Sequence, residues 1–307
     1  ELVPGTCAER YLAFKNTQGS QITFEDIAAE EKRLGLDKPF LYRYTKWVSD
    51  IVIKQDFGDS CILRISINEL LSGRFVLSLT IAITALLFSY AIAIPVGIIS
   101  ATTKYASLDN ALKFVSYLGI ALPNFLVALC IMLFMTVYYG DTMTGLFSQE
   151  YENAPWSSAK VQDFLSRAWL PIFVLGWNAT AFALQTVRAL MLDENDKLYV
   201  MAARARGVSG MSLLWRYPAK HSLGPVINSI GFDLNRIFSA LPVVALILIL
   251  TEAGALLIEA LARSNDQQLA GAIIFLLTAT IVFVNFVTDI ILAIMDPRIR
   301  RGVMGGS

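Results

Sequence analysis

The sequence predicts an all-α polytopic membrane protein, and its composition and charge spacing are the observations behind that prediction. Hydrophobic residues make up 55% of the 307 residues and charged residues 16%, and the mean hydropathy is +0.57. Soluble globular chains carry about 25% charged residues. The apolar excess here is concentrated in long uncharged runs, and a lipid bilayer is the usual environment of such runs.

Composition also excludes several classes of protein. The apolar content excludes a disordered chain, and the zero net charge, from 25 Lys+Arg against 25 Asp+Glu, argues against a nucleic-acid-binding protein. Three cysteines are too few for a disulfide-framework mini-protein. His221 is the single histidine, so neither a multi-histidine metal site nor a histidine-based catalytic dyad is expected. The sequence contains no Walker A loop, so binding of ATP through a P-loop is not expected either.

Uncharged runs locate the membrane spans. A spanning helix needs about 20 mostly apolar residues. Four runs of that length predict helices near 75–101, 114–139, 169–191 and 269–295. A fifth helix, near 225–251, is interrupted by Asp233 and Arg236 but continues into an aliphatic stretch. We therefore expect five spans in this sequence.

The charges of the connecting loops predict how the spans are oriented, because basic loops favour the cytoplasmic side. Loop 192–222 carries five basic residues against three acidic ones, and the tail after residue 295 carries three against one. Loops 141–167 and 252–268 each have a net charge of −2. With five spans, these signs place the N-terminal 73 residues outside the cell membrane and the C-terminus inside.

The outer N-terminal segment is expected to contain short helices. Thr23 followed by Asp26 resembles a capping box with Asp in the place of Glu, and it opens a helix that Gly35 can end. The amphipathic stretch 40–53 is rich in Tyr and Trp, as is common near a membrane interface. These signals predict a folded outer segment, not a linker.

The loop between the third and fourth predicted transmembrane helices is the most informative part of the sequence. Ala and Arg residues favour a helix up to Gly207, a residue able to take the positive φ that ends helices. Ser209 can cap a second short helix that carries Met211 and Trp215 among its apolar residues. Two such helices, basic yet partly apolar, suit docking onto a soluble partner. A basic loop that reflects membrane topology alone is the alternative.

The same loop resembles that of a transporter family. Its sequence Tyr199-Val-Met-Ala-Ala-Arg-Ala-Arg-Gly-Val-Ser209 is similar to the "EAA" loop of binding-protein-dependent ABC importer permeases of the dipeptide/oligopeptide family. Further family motifs follow in order along the chain: Leu2-Val-Pro-Gly5, Leu34-Gly-Leu-Asp-Lys-Pro39, Asp56-Phe-Gly-Asp-Ser60, Ile94-Pro-Val-Gly97, Ala121-Leu-Pro-Asn124, Leu170-Pro171, Pro225-Val226 and Asp296-Pro-Arg-Ile-Arg300. The nearest resemblance is to the first, B-type transmembrane subunit of microcin/oligopeptide-type permeases.

The resemblance implies a fold, a function and partners. The implied fold is a type I ABC importer transmembrane domain, with five helices here and a sixth expected before Glu1. The implied function is ATP-driven import of short peptides or similar small solutes across the bacterial inner membrane. Implied partners are a second homologous permease, two ABC ATPase subunits that use ATP and Mg, a periplasmic or lipid-anchored substrate-binding protein, and membrane lipid. The chain itself is then neither an enzyme nor the holder of a cofactor or metal.

The resemblance also indicates candidate site residues. The ATPase-coupling loop is 192–222, and its contact residues are expected to be Tyr199, Ala202, Ala203, Arg204, Ala205, Arg206 and Gly207. Asp233, Asn235 and Arg236 lie where the family usually has small or uncharged residues. Ionisable groups within a span are costly in lipid, so these three are candidates for the substrate path. A structural ion pair between Asp233 and Arg236, or a contact between subunits, is the alternative.

These assignments divide the chain into three parts. Residues 1–73 form the periplasmic segment with short helices, 74–296 the transmembrane permease domain, and 297–307 a cytoplasmic tail whose Gly-Gly-Ser end resembles a cloning linker. Cys7 and Cys61 both fall in the periplasmic segment, so a disulfide bond between them is possible.

Other functions stay open at this point. A stand-alone secondary transporter would show inverted repeats and binding sites on broken helices, and no repeat is evident. An intramembrane enzyme would need convergent nucleophiles, metal ligands or acid–base pairs, which the sequence lacks. Within the family, an oligosaccharide, an opine or a nickel chelate is an alternative to a peptide substrate.

Overall fold

The computed structural model describes residues 7–17, 23–33, 35–102 and 106–295. Regular secondary structure in these residues is helical, apart from an isolated antiparallel bridge between Asp59 and Ser66. The chain forms two compact units: the first combines the described residues up to 78 with 251–278, and the second combines 79–250 with those from 279 onward. The motifs at 2–5 and 296–300, the position of Leu34 and the predicted tail 297–307 lie outside the described residues.

The described helices follow one another along the chain with short connections. In order they are α1 (Cys7–Thr17), α2 (Phe24–Arg33), α3 (Phe40–Ser49) with a π-helical turn (Asp50–Lys54), α4 (Ile67–Leu71), α5 (Arg74–Thr102), α6 (Ala106–Ala121), α7 (Asn124–Tyr139), α8 (Ser158–Asn195), α9 (Leu198–Ala205), α10 (Gly210–Arg216), α11 (Pro218–Asn228), α12 (Ile230–Leu248), α13 (Ala253–Ile258) with a π-helical turn (Glu259–Ser264), and α14 (Gln267–Met295).

Buried aliphatic residues and two buried carboxylates organise the first unit. Its core comes from α4, α13 and the start of α14, and contains Ile67, Leu71, Ala253, Leu256, Ala260, Leu269, Ala270, Ala272 and Ile273. Glu252 accepts hydrogen bonds from two backbone N–H groups in the first turn of α13. Asp266 accepts one from Ser60 Oγ at 2.6 Å and one from Leu269 N at 3.1 Å. Both carboxylates are therefore satisfied as helix caps, which offsets the cost of burying them.

The predicted N-terminal cap of α2 is confirmed. Thr23 N donates to Asp26 Oδ2 at 2.9 Å, and Asp26 N donates in return to Thr23 Oγ1 at 3.4 Å. Gly35 takes a φ of +67° just after α2, as expected for a residue that ends a helix. The amphipathic stretch 40–53 is helical throughout, as α3 and its π-helical turn.

Glu30 ties α2 to the rest of the first unit. Its carboxylate lies 2.8 Å from Arg33 Nη2 and 2.8 Å from Arg64 Nη2, two cations on separate segments. Burial alone would raise the pKa of Glu30, but the two guanidinium groups hold that pKa below its ordinary value. Cys61, close to this cluster in sequence, is disulfide-bonded. The side chain of Cys7 lies outside the described residues.

The membrane spans agree with the prediction in number but not in every boundary. Four described helices are long and apolar enough to cross a membrane, and α6 with α7 forms a fifth candidate as a pair bent by 101°. The span predicted near 114–139 consists of two helices, α6 and α7, that meet at Pro123. Pro123 has no N–H to donate and keeps Leu122 out of the helical conformation, so α6 ends at Ala121 and α7 begins at Asn124.

Two predicted boundaries are wrong. The helix expected near 169–191 is α8, which runs from Ser158 to Asn195 because its charged end turns stay helical beyond the apolar run. Ser157 Oγ caps it by accepting from Lys160 N at 3.2 Å. The helix expected near 225–251 is divided into α11 and α12, and ends at Leu248 because Ile249 takes a φ of +53°.

Helix α8 is the central element of the second unit, where it contacts α6, α7, α11 and α12. Small residues allow other backbones to approach it closely. A Cβ atom on Gly97 of α5 would lie 2.8 Å from Val187 Cβ and 3.0 Å from the carbonyl oxygen of Leu184. A Cβ atom on Gly119 of α6 would lie 2.8 Å from Ala181 Cβ. Close packing through small residues is the usual way in which membrane helices associate.

Candidate functional site

The loop that follows α8 contains two short helices joined at a glycine, as the sequence predicts. Helix α9 ends at Ala205 and Gly207 takes a φ of +86°. Gly207 N donates to the carbonyl oxygen of Arg204 at 2.9 Å, and Val208 N donates to that of Ala203 at 3.2 Å. These bonds close the end of α9 and direct the chain into α10.

Ser209 occupies the N-cap position of α10, but its side chain makes no capping hydrogen bond. Gly210, the first residue of α10, has a φ of +65°. The loop therefore has two residues with a positive φ, Gly207 and Gly210, and the sequence predicted only the first of them. The missed signal was Gly210 itself, three residues further on.

The inner side of the loop is a small apolar cluster. Val200, Ala203 and Leu213 are buried, and Tyr199, Val208 and Tyr217 pack against them. This cluster holds α9 and α10 together. Ala203, one of the seven predicted coupling residues, therefore faces its own loop, not a partner.

Polar contacts fasten the loop to the helices on either side. Tyr199 donates a hydrogen bond from its hydroxyl to Glu194 near the end of α8, and Arg204 Nη2 donates to Asn195 Oδ1 at 2.7 Å. The ring of Tyr199 also meets the ring of His221 in α11 edge-on, with centroids 5.1 Å apart. Burial, and then the Glu194 carboxylate, raise the pKa of Tyr199 above its ordinary value, so the phenol stays a donor. A movement of α9 would therefore reach both α8 and α11.

The outer side of the loop combines exposed apolar and basic groups. Of the predicted coupling residues, Ala202, Arg204, Ala205, Arg206 and Gly207 are exposed. Large apolar side chains lie exposed in the same two helices: Leu198, Met201, Met211 and Trp215. Exposed apolar patches bordered by charge are typical of surfaces that bind another protein. We refer to these nine residues as the loop surface.

The second candidate site is an ion pair on α12. Asp233 is 5% exposed, and Arg236 Nη1 donates to its Oδ1 at 3.2 Å. The other carboxylate oxygen accepts from Tyr90 OH on α5 at 2.5 Å and from Ser229 Oγ at 3.4 Å. The sequence predicted the pairing of Asp233 with Arg236, but it missed Tyr90 and Ser229. Tyr90 is the single tyrosine of the uncharged run 75–101, and that is the signal that could have found one of them.

The three predicted path residues have different surroundings. Arg236 lies over the ring of Phe182 with its guanidinium carbon 3.9 Å from the centroid, and its side chain is 39% exposed. Asn235 is exposed beside it, and its backbone carbonyl oxygen accepts a hydrogen bond from Ser239 Oγ. Asp233 is thus a buried anchor, Arg236 a half-exposed cation held in place, and Asn235 a separate surface group.

A third polar cluster joins α5, α6 and α8, and the sequence analysis did not anticipate it. Arg188 donates from Nε and Nη2 to the two carboxylate oxygens of Asp109, both at 3.0 Å. Lys113 Nζ and Ser100 Oγ also contact this carboxylate. Such a two-pronged pair fixes helix positions more firmly than a single contact does. The described part of the chain has no group of three His, Cys, Asp or Glu residues able to hold a metal ion.

Comparison with known proteins extends these observations. The family described as "Binding-protein-dependent transport system inner membrane component" matches residues 93–301. The oligopeptide transport system permease protein AppB of Bacillus subtilis (strain 168) is 29% identical over 88% of this chain and 83% of its own length. The inner membrane ABC transporter permease protein YejB of Escherichia coli O157:H7 is 30% identical over 90% of this chain and 76% of its own.

A solved structure shares the fold. An inward-facing structure of the MetNI methionine ABC transporter includes a chain that aligns with a TM-score of 0.58 and 16% identity, over 74% of this chain and 96% of that one. The predicted fold class, a type I ABC importer transmembrane domain, is thereby confirmed.

Proposed function

This chain belongs to the family of binding-protein-dependent transport system inner membrane components, and on that premise we propose that it carries short peptides into the cell. It is a multi-pass inner-membrane permease subunit of an ABC importer, not itself an enzyme, and it works in a complex with other subunits. The peptide substrate follows from the resemblance to relatives such as the oligopeptide permease AppB. The match over residues 93–301, which include the loop and α12, carries the permease assignment, and the similarity to AppB carries the peptide substrate.

The composition of the complex is part of the proposal. A second homologous permease pairs with this chain, two ABC ATPases bind on the cytoplasmic side with ATP and Mg, and a substrate-binding protein delivers the peptide from outside. The loop charges support this orientation, since loop 192–222 is basic and loops 141–167 and 252–268 are acidic.

The loop surface is the proposed contact with one ATPase subunit. Ala202 and Ala205 are small and exposed, which permits close approach of a partner helix, while Met201 and Trp215 offer apolar area. Arg204 and Arg206 supply charge for acidic groups of the partner. Because Tyr199 links α9 to both α8 and α11, a displacement of the loop by the ATPases is passed to the membrane helices.

Arg236 is the proposed substrate-path residue, and Asp233 is its anchor. A guanidinium that is 39% exposed in a membrane helix is costly against lipid, so its open side belongs against water or another polar group. Tyr90 and Ser229 hold Asp233, Asp233 holds Arg236, and Phe182 supports the guanidinium plane. Asn235 is exposed on the same turn and adds a second polar group to the proposed path.

Purification and reconstitution test the function. The tagged chain is purified from native membranes, and its partners and bound ligands are identified by mass spectrometry. The complex is then reconstituted in vesicles and uptake of labelled peptides is measured with and without ATP. ATP-dependent uptake that needs the binding protein supports the proposal. Uptake by this chain alone, driven by an ion gradient, would instead identify a secondary transporter.

A further inference from the structure

Helix α3 and its π-helical turn carry an apolar face that lies open in the described structure. Phe40, Leu41, Tyr44 and Val52 are 59%, 69%, 53% and 69% exposed. Spacings of three and four residues place them on one side of the helix, with Val48 between them. The rings of Phe40 and Tyr44 stack at 6.2 Å, which makes that part of the face continuous.

The other sides of this helical segment either pack against the first unit or carry exposed polar groups. Trp47 and Ile51 point into the first unit, where Ile51 is buried. Tyr42 and Lys46 lie exposed on another side of the helix, whereas Ser49 is exposed beside Val48 and Val52. A helix with apolar and aromatic residues on one side and lysine on the other has the composition of helices that lie flat in a membrane interface.

Contacts with α14 set the level of α3 relative to the bilayer. The ring of Trp47 meets that of Phe275 edge-on at 6.1 Å, and Trp47 Cζ2 lies 3.8 Å from the place of a Cβ on Gly271. At 1.5 Å per residue, the 29 residues of α14 span about 43 Å, whereas the hydrocarbon core is about 30 Å thick. An upright, centred α14 therefore extends about 6–7 Å beyond the core at each end.

This geometry places Trp47 at the boundary of the hydrocarbon. Gly271 is about 6 Å and Phe275 about 12 Å along α14 from Gln267, so they lie at the edge of the core and just inside it. Ile274 and Phe275 are 48% and 40% exposed, so the apolar surface of α14 is also open at this level.

We infer that α3 and its π-helical turn form an interfacial helix, with Phe40, Leu41, Tyr44, Val48 and Val52 inserted into the outer leaflet and Lys46 facing water. The occupant of the face is lipid because α3 lies at the level where α14 enters the hydrocarbon. A soluble protein docked from outside does not reach that depth. The inference depends on α14 crossing the membrane and not on the identity of the transported solute.

Spin labels at single cysteines test the inference. Leu41→Cys, Val52→Cys and, as the matched control on the polar side, Lys46→Cys are made in a Cys130→Ser background that keeps the disulfide of Cys61. Each labelled chain is reconstituted with its complex in phospholipid vesicles. Collision with oxygen, which is concentrated in lipid, is compared with collision with a water-soluble nickel chelate.

The expected ratio of oxygen to nickel accessibility is several-fold higher at residues 41 and 52 than at residue 46. Equal, water-like ratios at all three positions would overturn the inference and leave the face open for a soluble partner. Low accessibility to both reagents at residues 41 and 52 would also overturn it, because the face would then be covered by protein. In detergent, retained apparent unfolding temperature shows that each variant is folded.

Discussion

Tyr90 on α5 donates a 2.5 Å hydrogen bond to the carboxylate of Asp233 on α12, 143 residues further along the chain. The same carboxylate accepts from Arg236, so one buried anion connects a second helix to a half-exposed cation. Removal of Tyr90 or Arg236 leaves the buried Asp233 carboxylate without one of its partners. Replacement of Asp233 by an uncharged residue leaves no buried charge to be paired. This asymmetry leads to the first two predictions.

Arg236→Gln is expected to destabilise the protein more than the double change Asp233→Asn with Arg236→Gln. A buried charge that loses its partner costs about 3–5 kcal/mol, and the partial exposure of Arg236 points to the lower part of that range. The apparent unfolding temperature of each purified variant in detergent measures the effect. Asn235→Ala, an exposed neighbour, is the control and should leave the temperature unchanged. Equal unfolding temperatures for the single and double variants would contradict the pairing.

Transport assays separate a path role from a structural role of the same cation. Arg236→Lys keeps the charge but loses the planar contact with Phe182, and is expected to assemble normally while changing substrate-stimulated ATPase activity or uptake. If Arg236→Lys assembles and transports at the wild-type rate, Arg236 does not line the path.

Tyr90→Phe should lower the stability of the protein, by about 1.5–3 kcal/mol for a lost hydrogen bond to a charged group.

Gly207→Val is expected to uncouple ATP hydrolysis from uptake while the permease stays in the membrane. A β-branched residue at the φ of +86° of Gly207 costs about 1–2 kcal/mol. The backbone is therefore expected to leave this conformation, which changes the direction in which α10 continues. ATPase binding, ATP hydrolysis and uptake are measured on the reconstituted complex.

Gly210→Val is not a suitable control for that experiment, because Gly210 also has a positive φ, of +65°. Ser212→Val is the matched control: Ser212 is exposed in α10 and is not one of the nine residues of the loop surface. Valine and serine have similar helix propensities, so this variant should behave as wild type. Normal coupling in Gly207→Val would rule out the loop as the coupling element.

Gly97→Ala is expected to lower stability by about 1–3 kcal/mol, the usual cost of overpacking. The added Cβ would meet Val187 at 2.8 Å and the backbone of Leu184 at 3.0 Å, and a backbone atom is unable to rotate away. The apparent unfolding temperature measures the loss, with Gly271→Ala as the control, because a Cβ there meets no atom closer than 3.8 Å. An unchanged temperature in Gly97→Ala would mean that α5 and α8 are not in close contact here.

The membrane orientation is tested by labelling single cysteines from outside the cell in a Cys130→Ser background. A membrane-impermeant maleimide should modify Gln149→Cys, in the acidic loop 141–167, and should not modify Ser209→Cys in the basic loop. Both positions are exposed in the structure of this chain, so the permease is expressed without its ATPase partners and access then depends on the side of the membrane. The reverse labelling pattern would invert the proposed topology.

The ion pairs of Glu30 are expected to make stability depend on pH. Because the pKa of Glu30 is lower in the folded chain than its ordinary 4.5, its contribution is present above that value and is lost as the pH falls through the folded pKa. Both arginine partners are about 40% exposed, so the contribution is about 1 kcal/mol or less. Glu30→Gln should therefore unfold at a lower temperature than wild type at pH 7, and the difference should shrink as the pH falls below 4.5. A difference that persists at low pH would exclude the charge as its cause.

The features that the sequence determined by itself depend on short stretches of chain. The uncharged runs identified the membrane helices, because transfer of a segment into lipid depends on the composition of that segment. The Thr23–Asp26 cap and the turn at Gly207 followed from local backbone sterics and local hydrogen bonds. The break at Pro123 also follows from the motif Ala121-Leu-Pro-Asn124, because proline disfavours a helical conformation of the residue before it.

The tertiary structure alone decided which distant groups meet. Tyr90 reaches Asp233 and Arg188 reaches Asp109 only because each helix is rotated so that these side chains face each other. Ser60 reaches Asp266 because two connecting segments, 206 residues apart in the chain, pack together. Packing also turned Ala203 inward while Ala202 stayed exposed, a choice that their identical side chains do not encode. Hydropathy and capping are properties of a segment, whereas helix rotation and depth are set by the packing of all neighbouring helices at once.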